Sequence, residues 1–505
     1  MHFWRKQLAR LALLCLTASA LVLGYGRLDA PIAGIVAALA FLGLAQHLRS
    51  SSYGELGCWA LLTMVLVHSI AFGWMLTGLQ NISQSGLPAA TALFGLSAVL
   101  IECKLGLLLL ALTFLWRSRF RNRLLLVPAL AWLSEMLLNW LFPWYWGNTI
   151  GGSVVLRQLA SLGGVPLLTL IVWLHAILLY DLGRWLWSAQ QDVARKRKKQ
   201  STARADSSAV QDSLIHQIWR YFSSTGSTAN SRALSRGGIW LTLTILIAAW
   251  ATGSWLLARP GARPSGPSLR IGLVQTALPM NPERGSGGDE YGYAGRALNV
   301  VFEESLKLLL ANPDLDLLVL PESAVPYYTT RHRQTNSPTG ATEAGTGAQT
   351  AQLSGPIYSP TWVAVLAFLA RQGHLDVIYN ELAPGRTDKG LYHNAISLFD
   401  LQGGAPAGIY HKQKLIPFGE YLPGEQYWPA LRQFFPQAGR YQPAPHRQAL
   451  DWHRYRKPVQ PRLFRPAELA ELNDLAALRK DWPVVELVGA DPVARIQPIL
   501  CYESV

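Results

Sequence analysis

The chain has 505 residues, of which 50% are hydrophobic and only 15% charged, and its mean hydropathy is +0.17. This length allows two or three domains, and the hydropathy is too high for an ordinary soluble protein. The formal net charge is +14, but the basic residues follow a membrane topology and form no nucleic-acid-binding stripe, so no nucleic acid is expected as a partner.

Apolar residues are concentrated in seven stretches before residue 260. Each is about as long as the roughly 20 residues that a membrane-spanning helix needs. The first stretch also resembles a signal peptide, because Ala18-Ser19-Ala20 imitates a cleavage site. We favour a retained helix, since another span follows almost at once. The sequence therefore predicts about seven transmembrane helices, near Leu8–Tyr25, Ala30–Gln46, Leu56–Leu79, Ala89–Trp116, Leu124–Phe142, Leu159–Trp187 and Ile239–Leu257.

Lysine and arginine residues predict how these spans are oriented, because they are enriched in cytoplasmic loops. They cluster before the first span, at Arg49, between Arg117 and Arg123, and in the run Arg195–Lys199, all on alternate connections. The intervening connections are poor in basic residues. The N-terminus is therefore expected in the cytoplasm, and seven spans leave everything after Leu257 on the outer face.

Composition divides the chain into four parts. Residues 1–187 are predicted to form a six-helix transmembrane bundle, and residues 188–236 a basic cytoplasmic linker that is disordered. Residues 237–258 form the seventh transmembrane helix. Residues 269–505 form an extramembrane domain, with inserted segments at 329–355 and 443–483.

Strand and helix patterns alternate within the extramembrane domain. Fully apolar strands between helices predict an α/β layered domain that helices cover on at least one face. The insertion near Pro466–Trp482 has helical leucine spacing and is read as a surface helix, with a lid resting on the membrane as the alternative. The predicted strands are Leu269–Gln275, Leu315–Leu320, Leu375–Asn380, Asn394–Phe399 and Ala407–Tyr410, with helices near Tyr293–Leu310 and Pro360–Gln372.

Polar and aromatic side chains also occur within or beside the predicted spans. Charged groups inside a membrane usually face the bundle interior or a partner. Structural pairing or a polar cavity is the simpler role for them here, and a ladder for substrate entry is the alternative; the residues are His68, Glu102, Lys104, Glu135 and His175. An aromatic group at the outer end of the fifth span is expected to anchor at the interface, and comprises Phe142, Trp144, Tyr145 and Trp146.

Three residues of complementary chemistry follow apolar strands in chain order: Glu322, Lys412 and Cys501. A cysteine attacks a carbonyl as its thiolate and needs a neighbouring base, a role that suits Glu322. A fixed ammonium such as Lys412 can stabilise a developing oxyanion. The set predicts acyl transfer through a thioester on Cys501.

Further residues support this prediction. Glu420 is a second carboxylate within eight residues of the lysine, and Tyr502 and Glu503 directly follow the cysteine. The other cysteines, Cys15, Cys58 and Cys103, lie in predicted spans and act there as small apolar residues. Cys501 is thus the lone extramembrane cysteine, either a reactive thiol or an accident. The sequence has no metal-ligand spacing and no cofactor-binding loop, so neither a metal nor a cofactor is expected.

The segments around these residues resemble the carbon–nitrogen hydrolase (nitrilase) superfamily. Together with the membrane bundle, they resemble the apolipoprotein N-acyltransferase family over most of the chain. The matching segments are Phe142-Pro143-Trp144, Gln158–Val165, Arg270–Gln275, Leu320–Pro326, Tyr392–Ala395, Tyr410–Lys412, Phe418–Pro423 and Cys501–Glu503.

This resemblance implies an αββα sandwich domain with Glu322 as base, Lys412 as oxyanion stabiliser, Cys501 as nucleophile and Glu420 as a supporting carboxylate. It implies that an acyl chain moves from a phospholipid to the N-terminal amine of a diacylglyceryl-cysteine lipoprotein. The partners are then the phospholipid donor, the apolipoprotein acceptor and the membrane. A monomer in the bacterial inner membrane is expected, with its catalytic domain facing the periplasm.

The chain departs from the family pattern in places. Leu138 stands where an intramembrane arginine is expected, and Lys414 where a histidine follows the catalytic lysine. The family also continues well past its cysteine, so we expect a C-terminally incomplete sandwich, truncated after Cys501. Two alternatives therefore remain: an inactive truncated homologue that keeps lipid or lipoprotein binding, and a membrane-tethered amidase.

Overall fold

Helices make up the first half of the chain and a mixed sheet the second, in a computed structural model. The chain divides into two compact units, residues 1–80 with 85–265 and residues 81–84 with 266–505. The predicted helix Pro466–Trp482 lies outside the described residues. These are 2–25, 30–83, 86–118, 122–138, 143–202, 236–259, 268–276, 290–322, 327–329, 357–384, 391–435, 438–445, 449–455 and 494–496.

Eight α-helices precede the sheet in these ranges. Six of them are long and apolar enough to cross a membrane, namely α1, α2, α3, α5, the first part of α7, and α8. The described part of the predicted fifth span, α6, has 16 residues, which is short for a full crossing. The bounds are α1 His2–Tyr25, α2 Pro31–Leu48, α3 Tyr53–Ala71, α4 Met75–Ser83, α5 Leu87–Arg117, α6 Arg123–Leu138, α7 Ala160–Thr202 and α8 Arg236–Ala258.

Helix α2 shows why these sequences pack closely. It begins with Pro31, which suits a first turn, and it contains neither lysine nor arginine nor acidic residues. A Cβ atom at Gly34 would lie 1.8 Å from Thr149 Oγ1, so only glycine allows the backbone to approach that threonine. Phe41 is fully buried, and its ring contacts Trp146 and Trp173.

Helix α7 corrects the predicted domain boundary at residue 187. It continues to Thr202, so residues 188–202 are helical and do not belong to an irregular linker. The reason is composition: this stretch is rich in alanine, glutamine, lysine and arginine, which are good helix formers, and lacks glycine and proline. The helix is interrupted near its start, where Gly164 has φ of +67°.

The aromatic residues after α6 also differ from the prediction. Trp144 and Trp146 do not lie on the surface of the bundle, where an anchoring side chain would be: they are 4% and 1% exposed and lie inside it. The indole N–H of Trp144 donates to Glu102 Oε1 at 3.2 Å, and the backbone N–H of Trp146 donates to Glu135 Oε1 at 2.6 Å. These two carboxylates stabilise the buried position of Trp144 and Trp146, because indole and amide N–H groups need hydrogen-bond acceptors once they are removed from water.

The predicted inward orientation of the charged residues in the spans is confirmed for four of them. Each is at most 1% exposed, and together with Trp144 they form what we call the intramembrane cluster: His68, Glu102, Lys104 and Glu135. Lys104 Nζ lies 3.6 Å from the centroid of the Trp144 ring and also donates to the Trp144 carbonyl oxygen. Glu102 and Lys104 lie two residues apart on α5, and both contact Trp144.

A five-stranded sheet forms the centre of the second unit, in the order β1-β2-β5-β6-β7. Strands β1, β2 and β5 are parallel, whereas β5, β6 and β7 are antiparallel. The strands are β1 Ile271–Leu273, β2 Leu317–Val319, β3 Tyr327–Tyr328, β4 Ile357–Tyr358, β5 Asp376–Pro384, β6 Tyr392–Asp400, β7 Ala405–His411, β8 Leu450–Trp452 and β9 Ala494–Ile496. The helices are α9 Glu290–Ala311, α10 Pro360–Gly373 and α11 Leu431–Phe434.

The two faces of this sheet have different coverings. Helices α9 and α10 pack on one face, where Val377 and Phe399 belong to their core. The short pair β8–β9 lies on the other face, where Leu450 and Trp452 pack against Ile378. Alternate residues of β5 therefore enter different cores, as the period of two in a strand requires. This helix–sheet–strand layering agrees with the predicted αββα sandwich.

Candidate active site

Two strands carry buried asparagines on the face opposite the helices. Asn380 on β5 and Asn394 on β6 are diagonal neighbours, because Asn380 pairs in register with Ile396. Asn380 Nδ2 donates to Asn394 Oδ1 at 2.7 Å and to the Ala395 carbonyl at 2.8 Å. This pairing fixes the Asn394 amide so that its own N–H groups point away from β5.

Lys412 follows the last residue of β7 and is fully buried. Its Nζ donates to Glu420 Oε1 at 2.9 Å and lies 3.7 Å from Glu322 Oε1. Asn394 Nδ2 donates to both carboxylates, at 3.0 Å to Glu322 and 2.8 Å to Glu420. The two carboxylates thus share the Asn394 amide and both lie near the Lys412 ammonium, an arrangement that compensates for the cost of burying charge.

A tight loop holds Glu420 in place. Glu420 Oε2 accepts the Ile416 backbone N–H at 2.8 Å, and the Glu420 N–H donates to the Ile416 carbonyl at 2.8 Å. Phe418, between them, has φ of +63°, a conformation that costs energy for a residue with a bulky side chain. The Phe418 N–H donates to the Tyr421 carbonyl at 2.7 Å. The loop therefore presents its carboxylate in one orientation.

Glu322 differs from the other two charged residues in its access to solvent. It lies three residues after β2, and its side chain is 34% exposed, whereas Lys412 is fully buried. The contacts of Glu322 with Asn394 and Lys412 are both made by Oε1, and the side chain remains partly accessible to solvent. A carboxylate in such a position can take a proton from an incoming group. The buried ammonium is suited to a fixed electrostatic role.

A tyrosine and a cavity adjoin these residues. Burial, with smaller contributions from the nearby Glu420 and Glu322 carboxylates, raises the pKa of Tyr441 to about 12, so its phenol stays protonated. Tyr441 also lines a cavity of about 590 Å³ together with Leu422, Glu425, Arg432 and Arg440. That volume lies in the range of small-molecule sites.

The structure brings three of the predicted site residues together, Glu322, Lys412 and Glu420. The predicted nucleophile Cys501 and its neighbours Tyr502 and Glu503 lie outside the described residues. Sequence reasoning gave no role to Asn394, which joins the two carboxylates. The available signal was its place in the segment Tyr392–Ala395, which resembles the family. Within the described ranges, no three His, Cys, Asp or Glu side chains are placed to hold a metal ion.

Comparison with known proteins gives two family matches. Residues 17–178 match the family described as apolipoprotein N-acyltransferase N-terminal domain, and residues 290–505 match the carbon–nitrogen hydrolase family. The first match contains the intramembrane cluster, and the second contains Glu322, Lys412 and Glu420. The two matches follow each other in the order membrane helices, then sheet.

Curated relatives match across both regions. Apolipoprotein N-acyltransferase 1 of Leptospira interrogans (serovar copenhageni) is 24% identical over 489 residues, covering 94% of this chain and 72% of the relative. Apolipoprotein N-acyltransferase 2 of the same strain is 24% identical over 412 residues, covering 80% of this chain and 59% of the relative. The enzyme of Azotobacter vinelandii is 25% identical over 421 residues, covering 80% and 62%. Over most of its length the chain is therefore similar to apolipoprotein N-acyltransferases, with a multi-pass membrane region followed by a carbon–nitrogen hydrolase domain.

Proposed function

We propose that the protein transfers an acyl chain from a phospholipid to the N-terminal amine of a diacylglyceryl-cysteine lipoprotein, through a thioester on Cys501. The observation that carries this proposal is the fully buried Lys412 ammonium between a partly exposed Glu322 and a buried Glu420. The similarity to apolipoprotein N-acyltransferases and the apolar helices support a lipid substrate. The roles proposed for Glu322, Lys412 and Cys501 are those predicted from the sequence.

In the first half-reaction, Glu322 takes the proton of the Cys501 thiol, and the thiolate attacks the ester carbonyl of the phospholipid. Lys412 stabilises the negative charge that develops on the carbonyl oxygen. The intermediate collapses by breaking the bond to the glycerol oxygen, which receives the proton from Glu322. The products are a lysophospholipid and an acylated cysteine.

In the second half-reaction, the α-amine of the lipoprotein attacks the thioester carbonyl. Lys412 again faces the developing oxyanion, and Glu322 takes a proton from the attacking nitrogen. The carbon–sulfur bond breaks, an amide forms, and the proton on Glu322 returns to the thiolate. Glu420 acts in both steps by fixing the lysine side chain, because its Oε1 accepts from Lys412 Nζ.

The location belongs to the same proposal. We place the protein in the bacterial inner membrane as a monomer, with its hydrolase domain on the periplasmic side. The charge asymmetry of the loops supports this orientation, because basic residues are concentrated on alternate connections. Phospholipid and lipoprotein then reach the site from the same membrane.

The test uses the purified full chain in detergent with a phospholipid that carries an alkyne-tagged acyl chain. We expect a label on the protein that hydroxylamine removes, that Cys501→Ala abolishes and that the matched control Cys58→Ala retains. Adding a diacylglyceryl lipopeptide should move the label to the peptide amine. A label that survives in Cys501→Ala, or that only water and never the peptide removes, contradicts acyl transfer by this route.

A further inference from the structure

Residues 439–444 form a short extended run that hydrogen-bonds to two parts of the active site. The Tyr441 N–H donates to the Glu420 carbonyl at 3.0 Å, and the Ala444 N–H donates to the Lys412 carbonyl at 2.9 Å. The main chains of both charged residues are therefore tied to the same run. Its position decides how the ammonium and the carboxylate face each other.

The same run is also tied to the start of β6. The Tyr392 N–H donates to the Arg440 carbonyl at 3.0 Å, and the Gln442 N–H donates to the Tyr392 carbonyl at 2.8 Å. Tyr392 lies two residues before Asn394, whose amide joins the two carboxylates. The run thus forms hydrogen bonds to strand β6, to the residue that follows β7 and to the Glu420 loop.

The side chain of Gln442 fastens this run to His393. His393 Nδ1 lies 3.0 Å from the Gln442 carbonyl oxygen, and Gln442 Nε2 lies 2.9 Å from His393 Nε2. Because a carbonyl can only accept, Nδ1 carries the proton and Nε2 accepts from the amide. Burial lowers the pKa of His393, which favours this neutral tautomer.

A second histidine connects this pair to the lysine. The rings of His393 and His411 stack with centroids 4.4 Å apart and planes 19° apart. His411 directly precedes Lys412 in the chain. Contacts therefore run without a gap from Gln442 through His393 and His411 to the residue that carries the buried ammonium.

We propose that Gln442 and His393 are positioning residues for acyl transfer, which hold residues 439–444 so that Lys412 and Glu420 stay in register. The inference rests on the proposed function, because register matters through the reaction at the site. Among the described residues, neither side chain hydrogen-bonds to Glu322, to Lys412 Nζ or to Glu420. Loss of their contact should slow the reaction without weakening the binding of phospholipid.

The experiment compares Gln442→Leu, Gln442→Glu and the matched control Gln402→Leu, an exposed glutamine in the β6–β7 turn. The rate of thioester labelling is measured against phospholipid concentration. We expect Gln442→Leu to lower the maximal rate about tenfold or more with KM unchanged, as small misplacements of catalytic groups do. Gln402→Leu should match the wild-type protein.

Gln442→Glu supplies the rescue. A carboxylate cannot donate to a neutral histidine nitrogen, but it raises the histidine pKa and accepts from the protonated ring. We therefore expect this variant to approach the wild-type rate at low pH and to lose that rate as the pH rises and His393 deprotonates. The wild-type protein should lack this particular pH limb.

The outcomes separate the two proposals. If the wild-type protein forms no Cys501 thioester, acyl transfer fails and the positioning inference fails with it. If it labels normally and Gln442→Leu does so at the same rate, only the positioning inference is overturned. A slow Gln442→Leu protein that Gln442→Glu does not rescue at any pH, with a lowered thermal midpoint in both, also overturns it, since the glutamine is then purely structural.

Discussion

Each unit buries a lysine close to acidic side chains, but the contacts of the two lysines differ. In the intramembrane cluster, Lys104, Glu102 and Glu135 are all at most 1% exposed. Lys104 donates to the Trp144 carbonyl, Glu102 accepts from the Trp144 indole N–H, and Glu135 accepts from the Trp146 backbone N–H. In the candidate active site Lys412 is equally buried and pairs with Glu420 and Glu322, but Glu322 is 34% exposed. We infer that solvent access, more than the burial of a lysine itself, distinguishes the cluster proposed to be reactive from the one that supports the fold.

Removing the accessible carboxylate tests this comparison most directly. Glu322→Gln keeps an oxygen for the Asn394 amide but removes the base, so we expect the rate of thioester labelling to fall about a hundredfold to ten-thousandfold. The thermal midpoint should hardly move, because the side chain is partly exposed. The control is the exposed Glu303→Gln, and a Glu322→Gln protein that labels within a few fold of wild type contradicts the assigned role.

The converse change is made in the intramembrane cluster. Lys104→Met removes the hydrogen bond to the Trp144 carbonyl and the cation–π contact with the Trp144 ring, and we expect it to cost about 3 kcal/mol of stability. The rate of labelling per folded molecule should stay the same. Thermal unfolding in detergent, followed by tryptophan fluorescence, measures the loss, with the exposed Lys307→Met as control.

A double variant sharpens that result. Adding Glu102→Gln to Lys104→Met replaces a buried carboxyl beside the lost ammonium with a neutral amide, so part of the lost stability should return. Losses that simply add show that the two side chains do not interact. If the labelling rate per folded molecule also falls in proportion to the loss of stability, the intramembrane cluster contributes to the reaction and is not purely structural.

Another buried carboxyl, Asp376, lies beside an acid, Asp400, instead of a lysine. Burial, with a contribution from Asp400, raises the pKa of Asp376 to about 7. Because the folded form binds the proton more tightly than the unfolded form, stability is full below the usual aspartate pKa and is lost as the pH rises through 7. We expect a loss of about 2.5 kcal/mol between pH 5 and 8.

Amide hydrogen exchange of β5 in the full chain measures this loss locally. Asp376→Asn keeps the acceptor for the Leu401 N–H, which lies 2.8 Å from Asp376 Oδ1. The variant should therefore exchange at the same intrinsic-corrected rate at both pH values. Equal pH slopes in the variant and the wild-type protein would show that Asp376 is already ionised at pH 5.

The smallest effect is expected at His411. Burial lowers its pKa to about 4, with a further contribution from His393. The unfolded chain therefore binds a proton more readily, and stability falls as the pH drops below the ordinary histidine value. Between pH 7 and 5 we expect a loss on the order of 1 kcal/mol, which His411→Gln removes. Hydrogen exchange of β7 reports it, and an unchanged acid limb in the variant assigns the effect to another group.

Apolar pattern predicted the framework of the site. The runs Leu315–Leu320 and Ala407–Tyr410 became β2 and β7, and Glu322 and Lys412 were expected to follow strand ends because polar residues succeed apolar runs there. Parallel and antiparallel pairing around β5 then brings these ends together. No local pattern contains that pairing, since it joins residues 72 positions apart, as with Asn394 and Glu322.

Other features depended on partners that a linear pattern does not show. The sequence around Trp144 is typical of an interfacial aromatic residue. Its burial depends on Glu102 and Lys104, which lie about 40 positions earlier on another helix. Residues 188–202 read as linker because serine, threonine, alanine and glutamine dominate the background of the whole stretch 188–236, whereas helix propensity decides the structure of its first part. His393 lies in the matching segment Tyr392–Ala395, but no sequence pattern indicates its contact with Gln442, which is 49 positions away.

The intramembrane cluster also constrains how the protein is made. Lys104 is synthesised 40 residues before Trp144, whose carbonyl accepts from it. At a synthesis rate of about 5 to 20 residues per second, Trp144 is therefore added several seconds after Lys104. The partner of Glu102 is made earlier, because His68 on α3 lies with its Nδ1 3.5 Å from Glu102 Oε1. An isolated lysine at the centre of a span costs about 3 kcal/mol at the translocon. The leucine-rich α5, with a hydropathy of 2.2, is hydrophobic enough to enter the membrane first and acquire its tryptophan later.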